Sequence, residues 1–310
     1  MKILIVDEMH SSLMPMLAAI GIHADYRPKI TPEEIYQTIS SYQGIIVRSK
    51  IQINETLLEK AHALQLIARA GSGMDNIDTE ATKKRAIHLI NTPEGNRDSV
   101  AEHVIGMILC LFNHIHTADQ QIRQQVWNRE VNRGIEIKGK TIGIIGYGNI
   151  GYQLAKRLAN FECELLVYDK NTKNYPIHYA RQTTLEEIWQ KADILSIHIP
   201  LNENNRQWID EHFLARFQKP IYLINSSRGE IIKTEALIEH LKQNKILGAC
   251  LDVLENEKLD KLTPKQREEF LFLSQAPNIL FTPHVAGWTE ESYQRINEVI
   301  VEKIKLFLSQ

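Results

Sequence analysis

One segment constrains the fold of this chain more than any other. A β-rich run at residues 141–145 leads directly into the glycine-rich residues 146–151, and a helical pattern follows. Gly146 permits a tight turn, Gly148 lets backbone amides approach a phosphate, and Gly151 lets the helix pack against the strand. The positive end of the helix dipole then points at the phosphates. The segment therefore predicts a dinucleotide-binding strand-turn-helix unit.

An acidic residue follows at the distance that such a unit requires. The next β-rich run ends at Asp169, eighteen residues after Gly151. A carboxylate at this place accepts hydrogen bonds from a ribose diol and repels a 2′-phosphate, which favours NAD over NADP. The alternative is an ordinary tight turn followed by a loop at Asp169. Because strand, glycines, helix and acid stand in the required order, we expect NAD binding.

β-rich runs alternate with helical patterns along the chain, which predicts an α/β fold with parallel sheets. The 310 residues are enough for about two domains. Apolar residues recur at three- and four-residue spacing from Arg97 to about Val126, so we expect one long helix at the domain boundary. The β-rich runs are residues 2–6, 44–48, 66–70, 88–91, 141–145, 165–168, 194–199, 221–225, 247–252 and 279–282.

Composition narrows the classes of partner. The chain has 36 Lys and Arg against 38 Asp and Glu, a net charge of -2, so no chain-wide positive field exists to hold nucleic acid or a membrane surface. The longest apolar run, residues 104–112, is too short to span a bilayer. Three widely spaced cysteines fit neither a disulfide framework nor a zinc site. We expect a cytoplasmic protein that acts on a small molecule.

Three polar residues follow β-rich runs of the second half, where open α/β sheets bind their ligands. Arg228 offers a planar fork that suits a carboxylate or a carbonyl. Glu257 beside His284 would keep the imidazole protonated to higher pH, because the charged form is stabilised. Singly, each could be a surface arginine, a solvated glutamate or a backbone-capping histidine. Together, at the strand ends of one dinucleotide-binding half, they predict an acid–base group for hydride transfer.

The sequence resembles the D-isomer-specific 2-hydroxyacid dehydrogenase family over nearly its whole length. Family members usually have proline after the catalytic glutamate, whereas this chain has Lys258. Besides the glycine-rich loop, the motifs that carry the resemblance are Val47-Arg48-Ser49, Ala70-Gly71-Ser72-Gly73, Asp75-Asn76-Ile77-Asp78, Ser99-Val100-Ala101-Glu102, Ile224-Asn225-Ser226-Ser227-Arg228-Gly229, Gly248-Ala249-Cys250-Leu251-Asp252-Val253 and Pro283-His284-Val285-Ala286-Gly287.

The resemblance implies two Rossmann-like or flavodoxin-like domains with the active site in the cleft between them. Residues 1–97 with 285–310 would form a substrate-binding domain, and residues 98–284 an NAD-binding domain. His284 would protonate the 2-oxo oxygen as hydride arrives from NADH, help that is worth roughly 10²- to 10⁴-fold. Glu257 would keep His284 charged and oriented, and Arg228 would polarise the carbonyl. No metal is required.

The resemblance also implies the contacts of the ligands. The backbone amides around Ser72 and Gly73 would receive the substrate carboxylate, and Asp252 would contact the nicotinamide. The expected cofactor contacts are Gly146, Gly148, Asn149, Ile150, Gly151, Asp169, His198, Pro200, Ser226, Ser227, Asp252 and Gly287.

The choice of hydroxy acid turns on Arg48 and Lys50. They stand two apart in an extended run, so both would point to one face and invite a second anion. This favours 3-phosphoglycerate, as in short phosphoglycerate dehydrogenases of serine biosynthesis that lack a regulatory domain. The alternative is a pair of solvated charges. Other enzyme candidates are a glyoxylate or hydroxypyruvate reductase and a D-lactate-type dehydrogenase; nothing suggests the pocket of a formate dehydrogenase.

Two further expectations rest on the same resemblance. The region around Trp127, Arg129 and Arg133 packs across a dimer interface in this family, which implies a homodimer. Alternatively, these residues are an ordinary polar helix end with one anchored aromatic. A different class of function also stays open, since some proteins of this fold are NAD-sensing corepressors or scaffolds. The intact set of Arg228, Glu257 and His284 favours catalysis.

Overall fold

The computed structural model describes residues 1–171 and 176–309 of the chain. The strands are β1 Lys2–Ile5, β2 His23–Tyr26, β3 Gly44–Val47, β4 Leu66–Arg69, β5 His88–Ile90, β6 Thr141–Ile145, β7 Glu164–Tyr168, β8 Arg181–Gln182, β9 Ile194–Ile197, β10 Ile221–Asn225, β11 Ile246–Leu251 and β12 Ile279–Phe281. The helices are α1 Leu13–Ala19, α2 Pro32–Thr38, α3 Glu55–Lys60, α4 Thr79–Lys84, α5 Pro93–Phe112, α6 Ile115–Arg123, α7 Asn149–Leu158, α8 Leu185–Lys191, α9 Glu211–Ala215, α10 Thr234–Lys242, α11 Pro264–Gln275 and α12 Glu290–Leu308.

The first of two compact units contains Met1–Arg97 and Trp288–Gln310. Its sheet has the strand order β2-β1-β3-β4-β5, and every neighbouring pair is parallel. All four residues of β3 are buried, as expected for a strand covered on both faces. The last helix, α12, packs beside α1, and the side-chain amide of Asn297 donates to the carbonyl of His10 at 3.0 Å.

The second unit contains Asp98–Gly287. Its sheet has the order β12-β11-β10-β9-β6-β7-β8, again with parallel neighbours throughout. From β6 the chain adds β7 and β8 on one side of the sheet, and it then adds β9 to β12 on the other side of β6. Ligands of open α/β sheets bind at the carboxyl ends of the strands where the strand order switches in this way. The predicted α/β class with parallel sheets is confirmed. Among the described residues, no helix combines the length and apolar character needed to cross a bilayer.

The prediction of one helix from Arg97 to Val126 is wrong, because the helix breaks between α5 and α6. His114 adopts a left-handed backbone with φ +51°. The carbonyl of Phe112, at the end of α5, accepts a hydrogen bond from the backbone amide of Ile135 at 3.0 Å. Gly134 lies so close that a Cβ there would be 2.8 Å from that carbonyl oxygen. The returning segment therefore takes over an acceptor that a continuous helix would use internally.

Candidate functional site

The glycine-rich loop joins β6 to α7 and leaves open space at one position. Gly146 has φ +94°, and a Cβ on it would lie 2.5 Å from the carbonyl oxygen of His198. A Cβ on Gly151 would lie 2.0 Å from the carbonyl oxygen of Gly146. A Cβ on Gly148, by contrast, would meet nothing within 4 Å. Packing thus requires the outer glycines, while Gly148 leaves room at the start of α7 for a phosphate.

Asp169 stands directly after β7 and is held against this loop. Its Oδ2 accepts from the backbone amide of Tyr147 at 2.6 Å, and its Oδ1 accepts from the amide of Asn171 at 2.7 Å. Each carboxylate oxygen has capacity for a second donor. The carboxylate is therefore oriented by the loop and still able to accept a ribose hydroxyl.

His198 and Ser226 each present a polar atom that suits a ligand. The Nε2 of His198 shares a hydrogen bond of 2.8 Å with the hydroxyl of Ser196, and burial lowers the pKa of His198 to about 3. Within residues 1–171 and 176–309, the buried Nδ1 of this neutral imidazole and the buried hydroxyl of Ser226 have no hydrogen-bond partner. Buried polar atoms are usually satisfied, so both atoms fit contacts to a bound polar molecule, and the carbonyl of His198 borders Gly146 of the glycine-rich loop.

Arg228, Glu257 and His284 follow β10, β11 and β12, which are neighbours in the sheet. The side-chain oxygen of Asn225 accepts from the amide of Ser227 at 3.0 Å, and its NH₂ donates to the carbonyl of Arg228 at 2.9 Å. The loop after β10 is in contact with the loop after β11, since a Cβ on Gly229 would lie only 1.9 Å from the carbonyl carbon of Leu254. Only glycine permits that approach, which brings Arg228 toward the Glu257 loop.

His284 and Glu257 form a direct pair. The Nδ1 of His284 lies 3.0 Å and 3.1 Å from the two carboxylate oxygens of Glu257, and both side chains are about half exposed. Burial acts to raise the pKa of Glu257, but the hydrogen bond and charge of His284, with the charge of Arg228, outweigh it and lower the pKa. Because Nδ1 faces the carboxylate, Nε2 is the ring nitrogen left for a proton exchange.

Asp252 fixes the backbone that carries His284. It is buried at the end of β11, and its Oδ1 accepts from the hydroxyl of Thr282 at 2.6 Å and from the amide of Val285 at 2.9 Å. Its Oδ2 accepts from the amide of Ala286 at 3.0 Å, and its carbonyl accepts from the amide of His284 at 2.7 Å. These bonds hold His284 at φ +56°. The side chain therefore positions the histidine loop.

Two side chains from α5 join this arrangement, and sequence reasoning missed both. The Nε2 of His103 lies 3.1 Å from the hydroxyl of Thr282 and 3.7 Å from Oδ1 of Asp252. The hydroxyl of Ser99 donates to the carbonyl of Ala286 at 2.8 Å. Ser99 opens one of the family motifs, which is a usable signal, whereas the sequence holds no comparable signal for His103.

The expected substrate residues lie on loops of the first unit, after β3 and β4. The NH₂ of Asn76 donates to the carbonyls of Arg48 and Ile51 at 3.3 and 3.2 Å, which ties the two loops together. The hydroxyl of Ser72, next to Gly73, donates to the side-chain oxygen of Asn96 at 2.7 Å. The anchored loops occupy the carboxyl ends of neighbouring parallel strands.

The geometric argument for pairing Arg48 with Lys50 fails. β3 ends at Val47, and residues 48–51 form a bend, so alternation along a strand does not set the directions of the two side chains. The ammonium of Lys50 donates to the carbonyl of Pro28. The guanidinium of Arg48 instead lies over the ring of Trp288.

Large apolar side chains are exposed in α6 and the segment after it. Trp127 is 81% exposed, and Arg133 pairs with Glu130 at 2.8 Å. Several large apolar side chains exposed within one short stretch of the chain are more typical of an interaction surface than a single exposed one is. The exposed members are Ile115, Ile122, Val126, Trp127, Val131 and Ile135.

Comparisons with known proteins agree with the geometry. Residues 105–286 match the family model described as D-isomer specific 2-hydroxyacid dehydrogenase, NAD binding domain. The chain is 33% identical over 313 residues to D-3-phosphoglycerate dehydrogenase of Methanocaldococcus jannaschii, which covers 99% of this chain but only 57% of that relative. It is 34% identical over 274 residues to hydroxypyruvate reductase of Thermotoga maritima, which covers 88% of this chain and 87% of the relative.

A solved structure gives the same result. D-lactate dehydrogenase from Aquifex aeolicus, complexed with NAD and lactic acid, superposes with a TM-score of 0.85 at 25% identity, covering 99% of this chain and 95% of that one. The resemblance predicted from the motifs is thereby confirmed, and so is the expectation of an NAD-binding domain. The chain belongs to the D-isomer specific 2-hydroxyacid dehydrogenase family.

Proposed function

We propose that the chain is an NAD-dependent oxidoreductase that interconverts a D-2-hydroxy acid and its 2-oxo acid. The observation that carries this proposal is the contact of His284 Nδ1 with the Glu257 carboxylate at 3.0 Å, on the sheet that also bears the glycine-rich loop. A histidine oriented by a carboxylate is an effective acid–base group near neutral pH. The names of the relatives support the same reaction class.

The glycine-rich loop and the residues around it would hold the cofactor. We assign the diphosphate to the loop from Gly146 to Gly151, including Asn149 and Ile150, and the ribose diol to Asp169. The open position at Gly148 and the unpartnered atoms of His198 and Ser226 support this assignment. NAD, when bound, supplies or accepts the hydride at C2 of the substrate. The remaining proposed cofactor contacts are Pro200, Ser227, Asp252 and Gly287.

The proton would move at Nε2 of His284. In the reductive direction this nitrogen gives its proton to the 2-oxo oxygen, and in the oxidative direction it takes a proton from the 2-hydroxyl. Glu257 is ionised over the neutral range, since its pKa is lowered, and its carboxylate would orient the imidazole through the contact with Nδ1. Arg228 would hold the carboxylate and polarise the reacting carbonyl with its guanidinium fork. On the first unit, the backbone amides at Ser72 and Gly73 are the substrate-carboxylate contacts that the family resemblance implies.

Among hydroxy acids we propose 3-phosphoglycerate, oxidised to 3-phosphohydroxypyruvate. Arg48 is a cation on the loop beside Ser72, and a phosphorylated substrate supplies an anion for it. Several relatives carry the name D-3-phosphoglycerate dehydrogenase, while others are hydroxypyruvate and glyoxylate reductases. Lys50, whose ammonium is bonded to Pro28, is the weaker candidate for this contact.

A steady-state assay tests both levels of the proposal. NADH consumption is followed with 3-phosphohydroxypyruvate, hydroxypyruvate, glyoxylate and pyruvate at matched concentrations. We expect the highest kcat/KM for the phosphorylated substrate and a loss of roughly 10²- to 10⁴-fold in His284→Ala. His212→Ala, an exposed histidine of the same unit, is the matched control. NADH binding without consumption of any oxo acid would instead indicate a corepressor or scaffold.

We also propose that the chain forms a homodimer through α6 and the residues that follow it. The exposed apolar side chains there, with Trp127 at 81% exposure, support a protein partner. Arg129 and Arg133 would lie at the margin of that interface. Sedimentation of a stable monomer at micromolar concentration would refute this, and Trp127→Glu should shift a dimer toward monomer.

A further inference from the structure

Arg48 has a rigid backbone and an aromatic environment within the first unit. Its amide donates to Oδ2 of Asp7 at 2.6 Å, and its carbonyl accepts from Asn76 at 3.3 Å. The Cζ atom of its guanidinium lies 4.0 Å from the ring centroid of Trp288 and 5.1 Å from that of Tyr293. Both distances are within the range of cation–π attraction. The arginine is therefore fixed at both ends.

The two rings are held differently. The hydroxyl of Tyr293 donates to the carbonyl of Glu8 at 2.6 Å, and its ring meets His10 edge to face at 6.0 Å. Trp288 is 63% exposed and stacks near Tyr293, with 5.9 Å between ring centroids and 28° between planes. Tyr293 is thus a fixed support, whereas the exposed Trp288 is a large apolar side chain kept at the surface against a cation.

Within the described part of the chain, no carboxylate lies within salt-bridge distance of the Arg48 guanidinium, and the charge of Asp7 acts on it only from farther away. Guanidinium groups stay protonated in proteins, and their five donors favour carboxylates and phosphates. A partly desolvated cation held by two π faces can therefore offer its outer donors to an anion from solution. The surrounding rings restrict the direction in which those donors point.

We propose that Trp288 and Tyr293 are specificity-determining residues that position Arg48 for an anionic group on the far end of the hydroxy acid. This inference rests on the proposed dehydrogenase function and deepens it. The aromatic clamp, meaning Trp288 and Tyr293, makes no contact with the reacting carbon. It acts through Arg48 and selects substrates with a second negative charge over those without one.

A matched pair of substrates isolates this role, because 3-phosphohydroxypyruvate and hydroxypyruvate differ only in the phosphate. Trp288→Leu should raise KM for the phosphorylated substrate by roughly 3- to 30-fold, the range that cation–π contacts span from exposed to desolvated sites. In this variant, kcat for the phosphorylated substrate and both kcat and KM for hydroxypyruvate should stay within about twofold of the wild-type values. Trp288→Phe, which keeps a π face, should restore most of the loss.

A control variant and a binding measurement make the test decisive. Tyr36→Leu removes another cation–π pair of the same unit, with Lys60, and should change neither KM. Binding of 3-phosphoglycerate and of inorganic phosphate, measured by calorimetry without turnover, should weaken in Trp288→Leu and recover in Trp288→Phe. Equal changes for both substrates, or unchanged phosphate binding, would overturn the proposal. Absence of turnover in the wild type with intact, Trp288-dependent phosphate binding would refute the dehydrogenase proposal alone.

Discussion

The buried carboxylate of Asp252 should control both stability and catalysis, which makes Asp252→Asn an informative change. The carboxylate accepts three hydrogen bonds, two at Oδ1 and one at Oδ2. An amide has a single oxygen. If that oxygen replaces Oδ1, the new NH₂ faces the amide of Ala286, donor against donor.

The magnitude follows from those contacts. Losing one charge-assisted bond and leaving a buried donor unsatisfied should lower the free energy of unfolding by about 2 to 4 kcal/mol. For a unit of this size we expect Tm to fall by roughly 5 to 15 °C. The loop also carries His284, whose amide donates to the Asp252 carbonyl at 2.7 Å, so kcat should fall as well.

Thermal unfolding and steady-state kinetics on the same preparations test this reasoning. Asp193→Asn is the matched control. Asp193 directly precedes the interior strand β9 of the same sheet, and its carboxylate accepts from the backbone amide of Thr141 and from the ammonium of Lys219, both at 2.7 Å. It should lower Tm less and leave kcat unchanged. The positioning role would be contradicted if Asp252→Asn had the same Tm as the wild type, or if its Tm fell while its kcat stayed at the wild-type value.

Three further outcomes follow from the site. Gly229→Ala should lower kcat/KM, because its Cβ would overlap the backbone of Leu254, whereas Gly106→Ala, which meets open space on α5, should raise stability by up to about 1 kcal/mol. The pKa of Glu257 is lowered, so its charge is lost only as pH falls below the ordinary value of 4.5; Glu257→Gln should lower the plateau of kcat/KM against pH and remove that acidic limb. Asp169→Ala should reduce kcat/KM with NAD by roughly 10- to 100-fold and leave NADP less affected, and an unchanged preference would contradict the ribose contact.

The sequence predicted the buried part of the fold well. The central strands are continuous apolar runs, as parallel strands covered on both faces must be, and the structure has a strand at each predicted run. Local chemistry also marks the start of α2, because Thr31 caps this helix and forms a complete capping box with Glu34. Both sheets could be inferred because burial and turn chemistry are local signals.

Two of the four edge strands and the long-range contacts were not predicted from the sequence. β2 and β8 are edge strands with no fully buried residue, so they carry no apolar run. The break at His114 is caused by a contact from Ile135, and the apolar spacing continues across it. The packing of Trp288 on Arg48 brings together residues that are 240 positions apart in the sequence. No local pattern reports which distant side chain will satisfy a charge.

The left-handed backbone of His284 sets the cost in stability of having an acid–base residue at this position. A residue other than glycine in the left-handed region costs roughly 1 kcal/mol, although histidine tolerates it better than most. Selection for thermal tolerance alone would therefore favour glycine at residue 284, where selection for turnover retains the imidazole. Laboratory evolution of this scaffold toward heat resistance needs a simultaneous screen for redox activity, since robustness and reactivity compete for the same residue.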